Sequence, residues 1–84
     1  MDDPFIGDIK LFPGTVAPQG WAPCNGGLLS VNREPVLYSV IGNTYGGTPG
    51  ANFNLPKLDK VTDKETGKLS YYYIAINGLY PERR

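Results

Sequence analysis

Alternating apolar and polar residues near the N-terminus predict the first strand. In residues 5–12 (FIGDIKLF), Ile9 and Leu11 lie on one side of an extended chain, and Lys10 lies on the other. This period of two is typical of a strand with one face buried. Phe12 breaks the alternation, and Pro13-Gly14 is expected to form a turn after it.

Three further apolar runs predict strands. Asn-Gly at 25–26 separates residues 21–24 from residues 28–31, and this dipeptide suits a type I′ turn, so the sequence predicts a hairpin of these two runs. Residues 69–77 (LSYYYIAIN) are rich in aromatic and β-branched residues, and both of their alternating sets are apolar. Such a segment is predicted to be a central strand that is covered on both faces.

One helix is predicted between Asn32 and Gly42. Asn32 suits the N-cap, and Pro35 suits the first turn, where a missing N–H costs nothing. Gly42 suits the helix end. Helical spacing is kept by Val36, Leu37, Val40 and Ile41. A glycine-rich loop over 43–50 and a short extended piece over 52–56 are expected to follow.

Composition indicates one small α+β domain, mostly strand, over residues 1–84. The chain has 84 residues and a mass of 9.2 kDa, with 11 glycines and 8 prolines, so loops take much of its length. Its predicted parts are a core at 4–58, an exposed charged loop at 59–69 and a closing strand at 70–81.

Charged residues are unevenly distributed. Eight basic and eight acidic side chains cancel, and this argues against nucleic acid as a partner. Between Leu11 and Pro56 only Arg33 and Glu34 are charged, whereas residues 57–68 carry seven charges. The charged stretch is expected to face water. The charge-poor block is expected either to contact other protein chains or to rely on neutral polar residues for solubility.

Several classes of chemistry are excluded. The sequence has no histidine and one cysteine, Cys24, so no His-based triad, Cys/His zinc site or internal disulfide is available. No oxygen cage for calcium and no phosphate loop is readable, so no metal, cofactor or catalytic residue is predicted. No signal peptide or membrane-spanning segment is evident, and synthesis in the cytoplasm is expected.

The order of the motifs resembles a known family. Gly20-Trp21, then CNG at 24–26, GNTYGG at 42–47 and FNLP at 53–56 follow one another, and the chain closes with YYYIAINGLYP at 71–81. This series is similar to the phage tail collar domain, which is shared by tail-fibre proteins, related contractile injection machines and microcystin-dependent proteins. The resemblance spans residues 4–58 and 71–81.

The resemblance implies a non-enzymatic structural role in a virion tail or an extracellular injection-type particle. It also implies a homotrimer in contact with other tail or particle proteins. Two departures stand out: Asn25 replaces an acidic residue, and residues 57–61 replace an Asp-Leu-Arg-Gly-Arg signature. In longer relatives a sizeable head follows this point, and here only the charged loop stands in its place.

Four residues are candidate contacts with a partner or a ligand. Tyr45 with its neighbours Asn43 and Thr44 lies in the glycine-rich loop, and a rigid ring with a hydroxyl suits a contact anchor. Trp21 could stack on a sugar, although a lone tryptophan in a small domain is more often core. The leading hypothesis is a self-associating connector, and the alternative is a module that recognises a cell-surface glycan or protein.

Overall fold

Six strands and one helix form the domain, and the computed structural model describes residues 3–81. The elements are, in chain order, β1 (Ile9–Pro13), β2 (Trp21–Pro23), β3 (Leu28–Ser30), α1 (Pro35–Ile41), β4 (Asn52–Asn54), β5 (Val61–Thr62) and β6 (Leu69–Ala75). The prediction of a small, mostly-β α+β domain is confirmed.

Strand β6 is the centre of a four-stranded antiparallel sheet. It pairs with β1 along one edge, where Ile9 lies opposite Ile74. Along its other edge it pairs first with β5 and then with β2, where Trp21 lies opposite Ala75. The prediction of a central final strand is therefore confirmed, although the strand ends at Ala75 rather than at Asn77. Strands β3 and β4 form a separate two-stranded sheet.

The two faces of β6 bury different groups. Ile74 is fully buried in the main core, which it shares with Ile6, Cys24, Leu37, Phe53 and Leu55. Tyr73 points to the opposite face and is only 2% exposed, and its ring lies 5.9 Å from that of Phe12. Phe12 breaks the alternation of β1 because its face of the sheet has this second aromatic cluster.

The predicted burial of β1 is wrong in one respect. Ile9 and Leu11 face the same side as Ile74, but they are 37% and 43% exposed. Strand β1 is the outermost strand of its sheet, so nothing among residues 3–81 pairs with its free edge. The alternation correctly predicts which residues of β1 share a face, but it overestimates how far these side chains are buried.

The predicted hairpin across Asn25-Gly26 does not form. Strand β2 pairs with β6, and β3 pairs with β4. A type I′ turn needs positive φ at both central residues, and of the two only Gly26 has it, at +79°. The Asn25 side chain instead accepts a hydrogen bond from Gly27 N–H at 2.9 Å, which makes a local turn.

The helix N-cap lies two residues later than predicted, and the helix ends as predicted. Its first residue is Pro35 and its N-cap position is Glu34, which makes no side-chain capping bond. Asn32 lies in the preceding turn, where Ser30 C=O accepts hydrogen bonds from the N–H groups of Arg33 and Glu34. Proline sets the helix start because it fits the first position and restricts the residue before it.

The charged segment is exposed throughout but is not only a loop. All residues from 57 to 69 are exposed, and within them β5 pairs with β6. The connection is a turn in which Asp63 Oδ1 accepts hydrogen bonds from Glu65 N–H and Thr66 N–H, at 2.8 and 3.2 Å. The prediction of a loop over 59–69 therefore missed a short strand.

Candidate functional site

The glycine-rich loop after α1 is fixed by the side chain of Asn43. Its Nδ2 donates hydrogen bonds to Gly46 C=O and Asn52 C=O, both at 3.0 Å. Its Oδ1 accepts one from the Tyr38 hydroxyl at 2.8 Å, and that hydroxyl also accepts one from Gly50 N–H at 3.0 Å. The amide of Asn43 is thus engaged on both sides, so its role in the structure is to hold the loop.

The same loop presents Tyr45 to solvent. Tyr45 is 45% exposed. Thr44 is also exposed, and its hydroxyl donates a hydrogen bond to Ile41 C=O at 2.7 Å. This bond gives a partner to the carbonyl of the last residue of α1. Of the three loop candidates, Tyr45 is the one with a large surface available for contact.

Trp21 lies elsewhere, in the aromatic cluster of the four-stranded sheet. Its ring meets the Phe12 ring edge to face at a centroid distance of 5.0 Å. Tyr73, the third member, donates from its hydroxyl to Gly14 C=O at 3.1 Å. Since Asn43 joins its loop to β4 and Trp21 pairs with β6, the four sequence candidates are divided between two places rather than joined in one site.

A cavity of about 340 Å³ opens at the edge of β6 and contains none of the four candidates. Its walls come from the end of β2 with Cys24 and Asn25, from residues 57–60 and from residues 71–73. The sequence pattern predicts only a strand position for the three consecutive tyrosines. Their position beside the charged segment is a result of β5 pairing, which the sequence pattern did not reveal.

Cys24, which is among the residues that line this cavity, is a buried thiol that is protonated at neutral pH. The side chain is 3% exposed, and burial raises the pKa of Cys24 from 9.0 to about 11. A thiol is nucleophilic only as the thiolate. Cys24 therefore acts as a small core residue at neutral pH.

Neither a cluster of metal ligands nor a membrane-spanning helix occurs among residues 3–81. No three His, Cys, Asp or Glu side chains among them lie close enough together to hold a metal ion. Within the described part of the chain, α1 has seven residues and is far too short to cross a membrane.

Comparison with known proteins identifies the family. Residues 7–62, about two thirds of the chain, match the Phage Tail Collar Domain. No curated protein and no solved structure matches the chain. The matched region runs from the turn before β1 through β5 and includes the glycine-rich loop held by Asn43. The chain belongs to the phage tail collar domain family, a structural family of phage tail fibres.

Proposed function

We propose that this protein is a self-associating connector module in a phage tail fibre. Its family gives the structural role in the tail. In addition to this role, we propose that the protein self-associates, with three copies as the expected number. The observation that supports it is the surplus of apolar side chains on the surface of residues 3–81.

That surplus is large for so small a domain. Twelve large hydrophobic side chains of the described residues are exposed, whereas eight hydrophobic residues form the buried core. Single exposed apolar residues are ordinary, but adjacent ones on one face indicate an interface. Ile9 and Leu11 are adjacent in this sense, because residues two apart on a strand share a face.

Strand β1 also offers backbone groups. Gly14 N–H donates to Leu69 C=O and Ala75 N–H donates to Asp8 C=O, so even-numbered residues of β1 face β6. The N–H and C=O groups of Ile9 and Leu11 therefore point away from the sheet. A free edge with apolar side chains is a surface that another chain can cover.

The charge distribution supports the same interface. Interface cores are depleted in charged residues, and residues 11–56 hold only Arg33 and Glu34. The charged residues are concentrated instead in the exposed segment from 57 to 69, which we assign to solvent. This segment also marks the place where longer relatives carry a head.

Light scattering over a concentration series tests the proposal. A constant mass of three times 9.2 kDa supports a homotrimer, and a stable monomer overturns self-association. Leu11→Asp should lower the mass, because it places an uncompensated charge on the β1 edge. The control is Leu28→Asp, which changes a leucine on the other sheet that is 59% exposed, against 43% for Leu11, and should leave the mass unchanged. Loss of mass only in the control would place the interface elsewhere.

The particle and its other proteins are a further part of the proposal. We place the module in a virion tail, with an extracellular injection-type particle as the related alternative, in contact with neighbouring tail or particle proteins. Mass spectrometry of purified particles, with chemical cross-linking, would identify the assembly and the chains that lie next to this one. Absence of the protein from such particles contradicts this assignment.

Recognition of a cell-surface glycan is the second candidate function. It is favoured by the loop around Tyr45, because a loop held by Asn43 loses little conformational freedom when it binds. Glycan arrays with the wild type and Tyr45→Ala test it. Tyr80→Ala is the control, since Tyr80 is 50% exposed and lies outside the loop. A connector without this function gives no selective signal in any of the three.

A further inference from the structure

Two Asn-Gly pairs occur in the chain, and their surroundings in the fold differ. They are Asn25-Gly26 and Asn77-Gly78. Asparagine is a chemically labile residue, and its side-chain amide is lost when the backbone nitrogen of the next residue attacks Cγ. Glycine at that next position favours the attack, because it has no side chain in the way and adopts most backbone conformations. Both asparagines are exposed, so exposure alone does not distinguish the two pairs.

Hydrogen bonds hold the first pair on both sides. Gly26 N–H, which carries the attacking nitrogen, donates to Pro56 C=O at 3.2 Å. Asn25 Oδ1, which belongs to the group under attack, accepts from Gly27 N–H at 2.9 Å. Attack by Gly26 requires that its bond to Pro56 first opens, and such an opening costs free energy. The fold therefore slows the reaction at Asn25.

The second pair has no such bonds within residues 3–81. None of their groups accepts a hydrogen bond from Gly78 N–H, and none bonds to the side-chain amide of Asn77. Gly78 is exposed as well. The last bond before the pair is that of Asn77 N–H, which donates to Gly20 C=O at 3.2 Å. The attacking nitrogen of Gly78 is thus available without any local opening.

We propose that Asn77 is a site of spontaneous deamidation in the folded protein. The nitrogen of Gly78 loses its proton and forms a bond to Asn77 Cγ, and the Cγ–Nδ2 bond breaks with release of ammonia. Water then opens the resulting succinimide ring. Cleavage at the side-chain carbonyl gives aspartate, and cleavage at the main-chain carbonyl gives isoaspartate. No oxidant or reductant is consumed, and the inference does not depend on the function proposed above.

Isoaspartate at residue 77 would disturb the contact between the two ends of the domain. It lengthens the main chain by one carbon–carbon bond, about 1.5 Å. Just beyond it, Leu79 N–H donates to Pro4 C=O at 2.8 Å and Leu79 C=O accepts from Ile6 N–H at 2.7 Å. Gly78 lies so close to Pro4 C=O that an added methyl group would collide with it. The extra length therefore has no room at Gly78, and the bonds that hold Ile6 in the core are expected to weaken.

Incubation of the full chain at mildly alkaline pH, followed by mass spectrometry of tryptic peptides, tests the site. Trypsin cleaves after Arg33 and Lys68, so the two Asn-Gly pairs fall in different peptides. In the native protein Asn77 should react at least about fivefold faster than Asn25, which corresponds to the roughly 1 kcal/mol of one backbone hydrogen bond. In concentrated urea the two rates should become similar, because the bond from Gly26 to Pro56 is then lost.

Asn77→Gln is the test variant, and Asn25→Gln is its matched control. Glutamine would have to form a larger ring and reacts far more slowly. On isoelectric focusing, the more acidic species that accumulates in the wild type should be absent from Asn77→Gln and present in Asn25→Gln. Reaction at Asn25 as fast as at Asn77 in the native protein, or no reaction at Asn77, overturns the site.

Hydrogen exchange tests the structural consequence separately. The isoaspartyl form should exchange the amides of Ile6 and Leu79 faster than Asn77→Asp, which adds the same charge without lengthening the chain. Equal exchange in the two forms overturns the expected weakening.

Discussion

The Tyr38 hydroxyl donates a hydrogen bond to Asn43 Oδ1 at 2.8 Å, and this contact connects the helix to the loop that follows it. Asn43 Nδ2 also donates a hydrogen bond to Asn52 C=O, which connects the loop to β4. The Tyr38 ring meanwhile packs on Phe53 of the same strand, at a centroid distance of 5.3 Å. Helix, loop and small sheet therefore depend on one pair of polar side chains.

Asn43→Ala should lower the free energy of unfolding by about 2 kcal/mol. The substitution removes the donor to Asn52 C=O and the acceptor of the Tyr38 hydroxyl proton, and it takes one of two donors from Gly46 C=O. Polar groups that lose a partner away from water cost about 1–3 kcal/mol. Urea unfolding followed by circular dichroism measures it. Asn32→Ala is the control and should stay within about 0.5 kcal/mol, because Asn32 is exposed and caps no helix. A comparable loss in both variants would contradict the assignment.

Gly47→Ala should be much more destabilising than Gly50→Ala. A methyl group at Gly47 would lie 2.6 Å from Phe53 Cα and 2.7 Å from Asn52 O, so the backbone of β4 would have to move. Gly50 also has a positive φ, of +81°, but has no atom within 4 Å of an added methyl group. We expect Gly50→Ala to cost about 1 kcal/mol from backbone conformation alone. Thermal unfolding of the two variants compares them, and equal midpoints would contradict the close approach.

Phe12→Ala should destabilise the domain more than Leu11→Ala. Phe12 packs on Trp21 and Tyr73, and its loss should cost about 2–3 kcal/mol. Leu11 is 43% exposed and should cost less than about 1 kcal/mol in dilute protein. The single tryptophan reports on the cluster directly, since its emission should shift to the red only in Phe12→Ala. The reverse order of stability would contradict the two-faced arrangement of β1.

The stability of the protein should decrease above pH 9 because of Cys24. Its pKa is about 11 in the folded protein and 9.0 ordinarily, so between these values the unfolded chain loses a proton that the folded chain keeps. The unfolded state is thereby favoured as pH rises, and below pH 9 there is no effect. Urea unfolding at neutral pH and at about pH 10 should show a larger loss in the wild type than in Cys24→Ala. Equal losses would mean that Cys24 does not contribute.

Local chemistry explains why some elements were predictable from the sequence. Gly42 ends the helix as expected, at a positive φ of 56°, since little else suits that position. The run at 69–77 is apolar on both sides, and only a central strand buries both sides. In each case a few neighbouring residues are enough to predict the element.

Strand partners were not predictable in the same way. Asn25-Gly26 has the composition of a tight hairpin, yet β2 pairs with a strand about fifty residues away. Pairing is decided by which surfaces can be buried together, and alternation cannot report that. The same limit applies to sites, because the cavity beside β6 combines four segments that are distant in sequence, whereas Tyr45, Asn43 and Thr44 are sequence neighbours.

The central position of β6 has a consequence for synthesis. Strands β1, β2 and β5 all precede it in the chain, and each pairs with it rather than with one another. On the ribosome, the nascent polypeptide holds these three strands without their template until the residues of β6 leave the exit tunnel. Folding of the four-stranded sheet is therefore delayed until residues 69–75 have left the tunnel, and a product that stops before Leu69 lacks the strand with which the other three pair.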